Sequence, residues 1–77
     1  MKDLMELRKE FDEKINKIME KYGYVDIDEG EYEAVTERSI GTVLLFKKDG
    51  SFDVWFYFVD GKGVRFFKNG NYESFLL

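Results

Sequence analysis

The chain contains no cysteine, histidine or proline, and glutamine is missing as well. Without cysteine there is no disulfide, no thiolate metal site and no thiol nucleophile. Without histidine the commonest metal ligand and general base is gone. These absences together exclude most catalysis. A thermophilic source, a biased genome or a designed sequence would each produce them, and the residues leave the three origins open. Long apolar runs are also scarce: the longest uncharged one, Val54 to Val59, is far shorter than the roughly 20 residues a spanning helix needs. The first residues, Met1 to Glu6, carry charges on a helical period and show no apolar stretch with a cleavage site, so no secretory signal is expected and a cytoplasmic address is the default.

What is present is a dense supply of core-forming side chains. The 77 residues are 44% hydrophobic and 18% aromatic, with eight Phe, five Tyr and one Trp. A domain of this length buries only about 60% of its unfolded surface, so it needs large apolar groups to be stable alone. One domain over residues 1–77 is expected, with a helix and its cap in 1–23 and an antiparallel sheet in 24–77.

Leu4, Leu7, Phe11, Ile15, Ile18 and Tyr22 recur at steps of three and four, with Met5 and Met19 on the flank, which predicts an amphipathic helix over 3–22. Asp3 and Glu6 form a capping-box pattern, Glu10 to Lys14 and Glu13 to Lys17 are favourable pairs, and Gly23 supplies a left-handed stop. Beyond Gly23 the period changes to two. Turn signals at Glu29-Gly30, Ser39 to Gly41, Asp49-Gly50, Asp60 to Gly63 and Asn69-Gly70 separate strands expected near 31–38, 42–48, 52–59, 64–68 and 71–76, with a short one at 24–28. The fold class is therefore α+β: an N-terminal amphipathic helix packed on a curved antiparallel β-meander of four to five strands. This order of elements occurs in several unrelated small folds, and no motif ties the chain to one of them.

Taken as a two-residue type I′ turn, Asp49-Gly50 sets a register. It places Val43 opposite Phe56 and Leu45 opposite Val54 on one face, and Leu44 opposite Trp55 and Thr42 opposite Tyr57 on the other. Phe67 joins the first face; Val59, Val64 and Phe66 join the face of Trp55 and Tyr57. Both faces are apolar, and one helix covers only one of them. The other, expected to hold Trp55, Tyr57, Val59 and Phe66, must be closed by curling into a small barrel or bowl, by a ligand, or by another chain.

Charge is segregated. Residues 1–22 are neutral and residues 42–77 carry +1, whereas 23–41 contain Asp26, Asp28, Glu29, Glu31, Glu33 and Glu37 against Arg38 alone, a net of −5 in a chain of net −4. Such clustering suits a solvated edge strand kept from aggregating by its charges. It equally suits a strand that imitates nucleic-acid phosphates and docks on a basic groove. A calcium loop at Asp26-Ile27-Asp28-Glu29-Gly30-Glu31 has its glycine one position early and its downstream ligands out of place. No serine or threonine has a base to activate it, and no pair of carboxylates stands out as acid and base. No glycine-rich phosphate loop precedes a helix. Lys47, Lys48, Lys62, Arg65 and Lys68 lie among aromatics, a weak signal for single-stranded nucleic acid that the pI of about 4.8 opposes. Core packing accounts more simply for Phe52, Phe56, Phe58 and Phe67.

The residues therefore point to binding by contact, without turnover, cofactor or metal. The leading expectation is a small acidic inhibitor or adaptor that occupies a basic, nucleic-acid-handling site on another protein, as phage-encoded anti-defence proteins do. Its partner-binding residues would be Asp26, Asp28, Glu29, Glu31, Glu33, Glu37, Trp55 and Tyr57, with no direct nucleic-acid or membrane contact. The alternatives are a structural or self-associating scaffold with a homodimeric sheet face, and a binder of small apolar ligands.

Overall fold

A computed structural model describes residues 1–28, 38–68 and 74–75, the last pair by its backbone alone. Helix α1 spans Leu4–Tyr22 and is followed by β1 (Asp26–Ile27), β2 (Ser39–Phe46), β3 (Phe52–Asp60), β4 (Gly63–Lys68) and β5 (Ser74–Phe75). The five strands form one antiparallel sheet in sequence order, open at β1 and β5 and not closed into a barrel. The expected strand at 31–38, all but its last residue, and the Asn69-Gly70 turn lie outside the described residues.

The helix begins and ends as its sequence requires. Asp3 accepts from the Glu6 amide at 2.9 Å while the Glu6 carboxylate reaches back to the Asp3 amide, and Gly23 closes the last turn at φ 75°. Leu7, Phe11, Ile15 and Ile18 are buried against the sheet. Phe11 meets Tyr57 edge-on at 5.2 Å and Phe66 at 5.1 Å.

Two expectations about the sheet are corrected. Gly41, read as a turn residue, lies inside β2 directly opposite Tyr57. There a Cβ would overlap the Tyr57 phenol, so the missing side chain makes room for the aromatic ring. The β2–β3 register is shifted by one residue from the one a two-residue turn imposes: Val43 opposes Trp55, Thr42 opposes Phe56, and Leu45 opposes Asp53. The cause is the loop. The Gly50 amide donates to the Lys47 carbonyl at 3.0 Å, the Lys47 amide donates to Ser51 at 2.8 Å, and Gly50 has φ 86°. This is a three-residue connection, a β-turn over 47–50 ending on a left-handed glycine, in which Asp49 also accepts from the Ser51 amide at 2.9 Å.

A one-residue shift exchanges faces. The face under the helix carries Val43, Leu45, Trp55, Tyr57, Val59, Val64 and Phe66, all buried. Trp55 and Tyr57 belong to the core, at 0% and 2% exposure, and not to the face away from the helix. The grouping of Val59, Val64 and Phe66 with them holds, because Val59 opposes Val64 and Tyr57 opposes Phe66. Asp53 also falls on this inner side. Its carboxylate accepts from the Tyr24 hydroxyl at 2.5 Å, and that hydroxyl in turn accepts from Trp55 Nε1 at 3.0 Å. Tyr24 lies directly after the helix cap, so this chain of hydrogen bonds fastens the end of α1 to β3.

Candidate interaction surface

The outer face of the sheet is built by alternation along three strands. β2 contributes Ile40, Thr42, Leu44 and Phe46, β3 contributes Phe52, Val54, Phe56 and Phe58, and β4 contributes Arg65 and Phe67. No described element covers this face. Ile40 is 73% exposed, Phe52 53% and Phe56 39%, while the remaining apolar members are half-buried. Phe46 and Phe52 form a cross-strand ring pair at 5.8 Å. The attribution of Phe52, Phe56, Phe58 and Phe67 to the core is therefore corrected: all four lie on the side away from the helix.

The charged groups of the face sit at its borders. Arg65 donates to Asp60 at 3.1 Å and places its guanidinium 4.8 Å from the Phe58 ring centre. The Lys62 amide, together with Arg65, holds the Asp60 carboxyl below the usual carboxylate range. At the opposite border, Asp26 pairs with Phe46, and the Asp28 amide donates to the Leu44 carbonyl at 3.1 Å. Cross-strand partners share a face, so the acidic residues of β1 and its extension border the apolar outer surface. Asp26 and Asp28 are exposed. Glu29, Glu31, Glu33 and Glu37 lie outside the described residues.

Of the expected binding residues, the structure thus brings Asp26 and Asp28 beside an apolar face that no described element covers and withdraws Trp55 and Tyr57 into the core. It adds Ile40, Phe52, Phe56 and Phe58, which the sequence reading had sorted wrongly. An Asp-Gly pair fits a two-residue turn and equally the end of a three-residue one. Asp53 shares the face of Trp55 and Tyr57 in either register, so alternation within β3 gives no signal for the turn length.

Among the described residues no group of three His, Cys, Asp or Glu is placed to hold a metal ion, and no helix is long and apolar enough to cross a membrane. The chain matches no protein-family profile, no curated protein and no solved structure.

Proposed function

We propose that this protein acts by contact, as a small acidic interaction module that docks on another protein through the outer face of its sheet. The observation that carries this reading is the exposed cluster around Phe56, with Ile40, Phe52 and Phe58, on a face that no described element covers. Apolar patches of this kind mark binding surfaces in folded domains. Aromatic groups of this kind commonly dominate binding energy. The partner chemistry follows from the borders of the face. The exposed Asp26 carboxylate on this border suits Lys or Arg flanking an apolar ridge, and a basic, nucleic-acid-handling surface has that character. Binding there would inhibit or recruit by occupying the site.

A second reading, self-association through the same face, is favoured by the pairing of Arg65 with Asp60, which compensates the charge at that border. The two readings differ in solution mass. Phe56→Ser should abolish partner capture, or dissociate a homodimer, at a stability cost of about 1 kcal/mol or less. Its neighbour Trp55→Ser should instead cost about 3–5 kcal/mol, because it empties a packed core position. Reversal of Asp26 and Asp28 to Lys should weaken capture and its salt dependence while leaving a homodimer intact. Partner capture and mass both unchanged in Phe56→Ser would overturn the surface as a binding site.

A further inference from the structure

Strand β4 has β3 along one side, and on the other side the described residues of β5 pair with Phe66 and Phe67. Val64 stands two residues before Phe66 and directs its backbone groups to that same side, as alternation in an antiparallel ladder requires. Both groups are taken by side chains of α1. The Val64 amide donates to Glu10 Oε2, and the Val64 carbonyl accepts from Lys14 Nζ at 2.7 Å. Glu10 and Lys14 are one helical turn apart and paired with each other at 3.1 Å. A neighbouring strand would offer Val64 one acceptor and one donor at this place, and the two side chains offer the same.

The surroundings are shaped for this arrangement. Lys2 binds the second Glu10 oxygen, and the Lys2 amide donates to the Gly61 carbonyl at 3.0 Å, which holds the N-terminus against the β3–β4 turn. Gly63 has φ 149°, and a Cβ there would crowd the Glu10 carboxylate. Glycine is thus required at Gly63 both by the backbone and by the room the carboxylate needs. Both side chains are only 14% exposed, so this is no loose surface pair.

We infer that Glu10 and Lys14 serve as a side-chain substitute for a strand, closing the β4 edge at Val64 against pairing with a strand of a second copy of this chain. Unpaired edges are where β-proteins associate edge to edge, and covering them with groups from a helix is one defence. The site is separate from the outer face, so it stands or falls independently of the docking reading.

The test is the double substitution Glu10→Ala with Lys14→Ala in the full-length chain, made on a Phe56→Ser background so that the outer face contributes nothing. Sedimentation across a concentration series and amide exchange at Val64 are the readouts. The expected result is a mass that doubles with concentration only in the double variant. In its monomer, Val64 exchange should be faster by at least about tenfold. A folded double variant that remains monomeric at every concentration overturns the inference. Should that variant fail to fold, exchange in the unsubstituted chain decides: protection of Val64 comparable to that of Phe66 supports the closed edge, and exchange like that of an open amide overturns it.

Discussion

At the scale of single residues, the hydrogen-bonded group of Tyr24, Asp53 and Trp55 shows how a buried polar cluster specifies one arrangement. Burial, and then the Asp53 carboxylate, push the Tyr24 hydroxyl up to about 12. Donation from Tyr24, aided by Lys47 and Lys68, holds Asp53 below the usual carboxylate range. The signs give opposite pH limits. The Tyr24 contribution is present in full below the ordinary tyrosine pKa of about 10 and is lost as pH rises through about 12. The Asp53 contribution is present above about pH 4 and is lost on acidification. Glu10 behaves as Asp53 does: burial alone would raise it, but Lys2, the Val64 amide and Lys14 outweigh burial and keep it low. Tyr24→Phe removes the hydroxyl that accepts from Trp55 Nε1 and donates to Asp53, and should cost about 1–3 kcal/mol. Melting curves from pH 3 to 11 should show that loss over the neutral range and a weaker alkaline limb in the variant. Equal stability of the two proteins at pH 7 would mean that the cluster contributes nothing net. None of this was legible in the sequence, because Tyr24 and Asp53 are brought together by the fold.

At the scale of elements, the helix was readable nearly to the residue, because its information is local. An apolar stripe of period 3.6, a cap at Asp3 and a glycine stop at Gly23 each act within one turn. Phe11→Ala should cost about 2–5 kcal/mol, since the ring is 1% exposed and packed on Tyr57 and Phe66. A melting temperature that barely moves would mean that the helix does not rest on the sheet. The strands were found less sharply, and their ends moved by a few residues. Gly41 reads as a breaker in isolation, yet it serves in β2 because Tyr57 fills the space above it. The edge strands β1 and β5 fall inside the ranges expected for them, 24–28 and 71–76, where apolar residues alternate beside turn signals.

At the scale of the whole molecule, the apolar character of both sheet faces was visible from composition and alternation. Which face the helix covers was not, because both are apolar, and the loop at Asp49-Gly50 decides only which β2 side chains share a face with Trp55. The covered face proves to be the one with Trp55 and Tyr57, and the candidate binding surface passes to Phe56 and its neighbours. This near-equivalence of the two faces has a kinetic consequence. A hairpin closed one residue out of step, with Leu44 against Trp55 and Val43 against Phe56, presents almost as much apolar surface to the helix, so it is a dead end open to a refolding chain. Only in the native register does Tyr57 find Gly41 beneath it and does Tyr24 reach both Asp53 and Trp55. Refolding should therefore show a minor slow phase, the escape from the slipped hairpin, larger in Tyr24→Phe. The chain has no proline, so prolyl isomerisation does not compete as its explanation. Stopped-flow fluorescence of Trp55 reports it directly, and single-exponential recovery in both proteins would remove the trap.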